Sequence, residues 1–196
     1  MGGSTADDLQ RLRRRLNVIV LAVPQQFITL TAIYWLRFVP PLRPFAFTVP
    51  APSPGFLLLC AATLVLPAVL PSAYFRTRSW ERGRFYPALG LRWFRWLAPD
   101  GDWVAARLRR VDPSYRLIRT RQDRDAHIVE SRRNEAWHLS WGLLGAVTTW
   151  HAWATGQSGW AMLIAGFNLV FNVYPVCHQR YKRARLRDNA GRQAHA

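Results

Sequence analysis

The chain has 196 residues, half of them apolar and ten of them tryptophan, with a formal net charge of +16 that is almost wholly arginine, Lys182 being the only lysine. So basic a composition invites a nucleic-acid reading. The placement of the charge excludes it as the main role: four stretches free of charged side chains each approach the ~20 residues that a helix needs to cross ~30 Å of hydrocarbon, and arginines crowd between them.

In chain order, residues 1–15 form a basic N-terminus with Arg11, Arg13, Arg14 and Arg15. The first apolar stretch, Leu16 to Leu36, is too long for the core of a signal peptide and reads as an uncleaved anchor. Pro24, Gln25 and Gln26 predict a kink within it. The link that follows carries Pro40, Pro41, Pro44, Pro50, Pro52 and Pro54 with only Arg37 and Arg43, a pattern for extended loop. A second stretch spans Gly55 to Phe75 and is interrupted by Pro67 and Pro71, so residues 16–75 read as two transmembrane helices with a proline-rich link. Residues 76–135 then form an arginine- and tryptophan-rich region, with 15 arginines against seven acids between Arg76 and Arg133. Within it, Leu89, Trp93, Trp96 and Leu97 recur at helical spacing while Arg92 and Arg95 are free to turn away, which predicts an interfacial amphipathic helix. The turn Pro99 to Asp102 ends it, Asp102 is expected to N-cap a short helix through Arg110, and a further helix is expected beyond Asp112 and Pro113.

Ala136 to Thr155 and Ser158 to His178 supply the third and fourth stretches, and the short link Gly156-Gln157 makes residues 136–178 an antiparallel hairpin before a basic tail, 179–196. Basic residues number four before the first stretch, two in the first link, 15 in the central region, none in the second link and six in the tail. The positive-inside rule therefore places both termini and the central region in the cytoplasm. The expected fold class is an all-α integral membrane protein with four transmembrane helices and an amphipathic interfacial or cytoplasmic helical region between the second and third. It is a multi-pass protein of the plasma membrane, with membrane lipids rather than nucleic acid as partners. Cys60 and Cys177 sit apart in apolar stretches and read as core thiols.

Polar groups inside these stretches mark candidate chemistry. Glu135 and His138 lie three apart at the cytoplasmic mouth of the third stretch, with Asn134 four before the histidine. On the fourth, Asn168, Asn172, Pro175 and Gln179 are spaced four, three and four, an amide stripe on one side of a helix. Antiparallel pairing sets Glu135 and His138 at the depth of Asn172 through Arg180, a stretch that includes His178, so the polar faces can converge. Interhelix hydrogen bonding and arginine snorkelling would use the same residues without catalysis. Glu135-x-x-His138, with Glu130 nearby, is half of a di-iron carboxylate pattern, but no second half occurs and no metal is expected. His127 reads as solvated and His151 as structural.

Four blocks together carry a resemblance: WERGRFYPALGLRW (Trp80 to Trp93), PDGDW (Pro99 to Trp103), ESRRNEAWH (Glu130 to His138) and NVYPVCHQRYKRARL (Asn172 to Leu186). In these blocks the chain resembles the glycosyl-4,4'-diaponeurosporenoate acyltransferases, membrane enzymes that acylate the sugar of a glycosylated carotenoid acid. The resemblance implies Glu135, His138, Asn172, Gln179, Arg180 and Tyr181 as site positions, with Trp80, Glu81, Gly83, Tyr86, Leu89 and Gly90 upstream. It departs from the family's pattern at Lys182 and Leu139. What it implies is an enzyme without a resident cofactor, moving a fatty acyl group from acyl-coenzyme A or a similar thioester to a hydroxyl of a glycosylated carotenoid or related lipid. On that reading His138 is the general base, Glu135 orients it, Asn172 and Gln179 serve the oxyanion, and Arg180 with the central arginines holds the donor. A non-enzymatic lipid-binding scaffold and another inner-leaflet transferase, such as a methyltransferase, are the alternative classes.

Overall fold

The computed structural model of the chain describes residues 3–22, 24–42, 48–81 and 85–194. Gly83, and Arg43 with Pro44 of the proline-rich link, lie outside the described residues. Every regular element described is helical, in accord with the all-α class. The α-helices are α1 (Gly3–Ala22), α2 (Gln25–Leu36), α3 (Pro54–Val65), α4 (Phe85–Ala88), α5 (Leu91–Leu97), α6 (Asp102–Val111), α7 (Arg121–Ala154), α8 (Ser158–Asn168) and α9 (Tyr174–Ala194). The chain divides into two compact units, Met1–Gln25 with Thr77–Ser131 and Tyr181–Ala196, and Gln26–Arg76 with Arg132–Arg180.

In the first unit, Leu16 of α1 packs against Val104 and Leu108 of α6. Asp100 fastens this pairing from the PDGDW turn. Its carboxylate accepts from Arg13 Nε at 2.7 Å, Arg13 Nη2 at 2.6 Å and Asn17 Nδ2 at 2.9 Å, and its own N–H donates to Asn17 Oδ1 at 2.9 Å. Burial pushes the Asp100 carboxyl up, but the hydrogen bonds from Arg13 and Asn17 outweigh it and hold the group below its ordinary range.

Two local expectations for this region are corrected and a third is met. Asp102 does not cap: Gly101 is the N-cap and Asp102, the first residue of α6, accepts from Arg95 Nε at 2.7 Å. The helix expected beyond Pro113 starts at Arg121, where Asp123 accepts from the N–H groups of Arg119 and Thr120 while Thr120 Oγ1 accepts from the Asp123 N–H. That exchange is a capping box, and it starts a helix of 34 residues that runs unbroken through the third apolar stretch. The interfacial helix shrinks to α5, with Leu89 in the turn before it; Trp93 is 83% exposed and Trp96 is exposed too. Only the backbone of Arg92 and Leu97 is described.

In the second unit, Phe27 and Tyr34 of α2 pack against Ala152 of α7 and against Ala161 and Ile164 of α8. Pro24 separates α1 from α2, as a residue without an N–H in the helical ladder should. Ser140 Oγ donates to the Leu64 carbonyl at 3.0 Å, joining α7 to α3. Gly156 turns α7 into α8 at φ +74°, a backbone region that side chains with a Cβ avoid.

The count of four spans is also corrected. Among the described residues two stretches, Asp7–Leu36 and Ser158–Arg187, are long and apolar enough to cross a membrane, with 18% and 28% of their apolar windows buried. A core helix of a soluble domain would be mostly covered. The proline-interrupted Pro54–Val69 is a shorter apolar helix. The apolar part of α7 is long enough, but His138, Ser140, Thr148, Thr149 and His151 dilute it.

Candidate active site

The fourth apolar stretch is not one regular helix. Leu169–Val173 widens into a π turn between α8 and α9, and the Tyr174 N–H reaches the Leu169 carbonyl five residues back. The cause is legible in Pro175, which has no N–H to return to the Phe171 carbonyl four residues before it. His138 of α7 lies beside this turn, close to the Phe171 backbone and the Asn172 side chain. Asn172 Nδ2 donates to Asn168 Oδ1 at 2.9 Å, and Asn168 Nδ2 donates to the Gly142 carbonyl at 3.0 Å. A buried amide is costly unless paired, and here each group supplies the partner that the next one needs.

Close approach of the two helices makes this relay fit. A Cβ on Gly145 would lie 2.7 Å from Asn168 and 2.8 Å from Phe27, so no side chain is accommodated at that point of α7.

One turn before His138, Glu135 is 0% exposed, and its Oε1 accepts from Arg180 Nη1 at 2.9 Å. Arg180 also donates to the carbonyls of Tyr74 at 3.3 Å and Arg76 at 3.4 Å, and its guanidinium lies 5.5 Å from the centre of the Tyr74 ring. Spacing alone predicts that Glu135 and His138 meet each other; in the structure Glu135 is paired across the hairpin with Arg180, while His138 lies beside Asn172. A carboxylate sealed from water beside one guanidinium fixes a cation in place at the cost of desolvating both. Asn134 is half-buried on the same helix, His178 is buried and Gln179 half-buried. Asn134, Glu135, His138, Asn168, Asn172, His178, Gln179 and Arg180 all belong to the second unit.

Trp80, Glu81, Tyr86 and Tyr181 belong to the first unit. The buried Glu81 carboxylate accepts from the Arg78 N–H at 2.5 Å and from Tyr86 Oη at 2.8 Å, and the Tyr86 ring lies 5.7 Å from that of Tyr181. Trp80 is exposed and meets Phe85 edge-on. Sequence reasoning passed over Arg183, which is fully buried and donates to the Ser131 carbonyl at 3.3 Å and Oγ at 3.1 Å. Its position one helical turn after Arg180 was the available signal.

A family model described as glycosyl-4,4'-diaponeurosporenoate acyltransferase matches residues 71–192, well over half of the chain. The chain belongs to this family. Searches of curated proteins and of solved structures return no match. The protein is therefore an acyltransferase, which sets aside the scaffold and methyl-transfer readings, and its family ties it to carotenoid synthesis. The match takes in every candidate residue from Trp80 to Tyr181 and the glycines that the relay uses, whereas α1, α2 and α3 lie outside it.

Two further histidines of the acyltransferase have partners of their own. His127 is not solvated as expected: it lies 3.2 Å from Glu130 and is largely covered. His151 Nδ1 is 2.6 Å from Tyr34 Oη, inside an aromatic cage of Trp35, Phe38 and Phe56. Among the described residues, no three of His, Cys, Asp or Glu converge as metal ligands would.

Proposed function

We propose that the protein moves a fatty acyl group from a thioester donor to a hydroxyl of a glycosylated carotenoid or related lipid at the cytoplasmic face of the membrane. His138 is the general base. It removes the proton of the acceptor hydroxyl as the oxygen attacks the thioester carbonyl; the carbon–sulfur bond then breaks, and the proton passes to the leaving thiolate. Asn172 holds the imidazole in position, a role the notional i,i+3 partner Glu135 does not need to fill. Glu135 fixes Arg180, whose guanidinium stabilises the oxyanion or the donor's phosphates. Gln179, His178 and Asn134 line the same end of the hairpin; in the first unit, Tyr181, Trp80, Glu81 and Tyr86 are further candidates for substrate binding.

The observation that carries this reading is His138 set beside the hydrogen-bonded relay of Asn172, Asn168 and the Gly142 carbonyl, one turn from the Glu135–Arg180 pair. Exposed apolar side chains along the two long helices support membrane insertion, and the distribution of arginine supports a cytoplasmic location for both termini and the central region.

The acceptor is tested in cells that make a glycosylated carotenoid acid, with and without the protein, by mass spectrometry of extracted pigment. A fatty ester of the sugar that depends on the protein supports the assignment. Its absence, with an ester on some other lipid hydroxyl, would replace the acceptor while keeping the reaction.

A further inference from the structure

Beside the relay the second unit holds an open cleft of about 300 Å³ that no residue of the proposed chemistry lines. Its walls are apolar, Pro67 and Leu70 after α3, Phe75 from the following turn and Ala136 of α7, and its polar edge is Arg132 and Arg133. The Nε of Arg132 is buried without a hydrogen-bond partner, and among the described residues no carboxylate pairs with either guanidinium. Cations gathered at the mouth of an apolar slot, one of them with its Nε shielded from water, match an anionic head with a hydrocarbon chain.

Two links place the cleft next to the candidate active site. Ala136 directly follows Glu135 in α7, and the Tyr74 and Arg76 carbonyls that hold Arg180 flank Phe75 of the cleft wall. An acyl chain lying in the slot would keep its phosphate-bearing head at the two arginines, on the turn of α7 that leads to Glu135.

We infer that this cleft seats the acyl donor, a long-chain thioester on a phosphate-bearing carrier, with Arg132 and Arg133 on the phosphates and the chain running along Pro67, Leu70 and Phe75. The identity of the occupant rests on the acyl-transfer reading; the existence of the site does not. A membrane phospholipid fits less well, because it brings two chains to a slot of this volume and a single phosphate charge to two guanidiniums. Beyond the slot the exposed side chains of Leu66 and Val69 continue the apolar track.

The test uses the full chain in detergent with palmitoyl-coenzyme A as substrate and its unreactive thioether analogue as equilibrium ligand. Replacing both arginines, R132Q with R133Q, should raise the donor KM and the analogue Kd about tenfold or more, leaving the acceptor KM unchanged. Ala68→Trp, a bulky residue at the exposed rim of the cleft, should weaken the analogue similarly without touching a charge. Donor KM and Kd that stay at wild-type values in both variants overturn the assignment. So does displacement of the analogue by phosphatidylglycerol vesicles at equal phosphate concentration, which would make the cleft a headgroup site. Binding of the analogue needs no turnover, so the two readings fail separately. Tight, arginine-dependent binding without any transfer would retire the reaction and keep the site; transfer with an arginine-independent KM would retire the site and keep the reaction.

Discussion

Asn172 has its amide nitrogen tied to Asn168 and its side chain set beside His138. Replacing it with alanine leaves the imidazole without its side-chain neighbour, and the expected result is a fall in kcat of about tenfold to a hundredfold with the donor KM little changed. Asn172→Asp, which keeps an oxygen acceptor, should recover part of that loss, and equal kcat in all three proteins would show that the amide does not position the base. Glu135 is a different case. Removing its carboxylate strands Arg180 in a site where the guanidinium is 13% exposed, and breaking such a pair costs about 3–5 kcal/mol. Glu135→Ala should therefore lose more thermal stability in detergent than Asn172→Ala, which leaves the buried Asn168 oxygen without its donor at a cost of about 1–3 kcal/mol.

At the scale of the element, the π turn is the feature that aims Asn172. Pro175→Ala restores an N–H to the Phe171 carbonyl, so Leu169–Val173 is expected to relax toward regular α-helix and swing Asn172 away from His138. The predicted outcome is a stable protein with strongly reduced turnover; wild-type turnover would mean that the widened turn is incidental. The docking of α1 makes a separate prediction, on pH. Because the folded Asp100 carboxyl titrates below its unfolded value of about 3.8, its clamp on Arg13 and Asn17 is fully present above that pH and is lost as pH falls through the lowered folded value. Protection of α1 amides, taken relative to the intrinsic exchange rate at each pH, should stay high at pH 7 and 5 and fall below about pH 4, and Asp100→Asn should lower it at pH 7 and 5 but no longer at the acid end. The hairpin and the meeting of its polar faces were legible in the residues, because antiparallel pairing about Gly156 leaves little choice of depth. The partners were not. An i,i+3 spacing says which side chains are neighbours on one helix, and it cannot say that a neighbour from the opposite helix will arrive first, as Arg180 does at Glu135.

For the whole molecule, charge segregation dictated an all-helical chain with greasy and basic blocks, and hydropathy alone then overstated how many of those blocks are spans. Pro54–Val69 is short, and α7 carries histidine, serine and threonine through its apolar part. Of these, sequence reasoning chose His138 for the candidate site, so one of the residues that lower the hydropathy of α7 is also the one that gives it chemistry. The most direct test is transfer of a labelled palmitoyl group from coenzyme A to a lipid hydroxyl by the reconstituted protein, measured for wild type and for His138→Ala at matched protein content. Loss of general base catalysis predicts a rate lower by about a hundredfold to ten-thousandfold in the variant, with binding of the thioether analogue retained. Equal rates in the two proteins would contradict the assignment of His138 and the mechanism built on it.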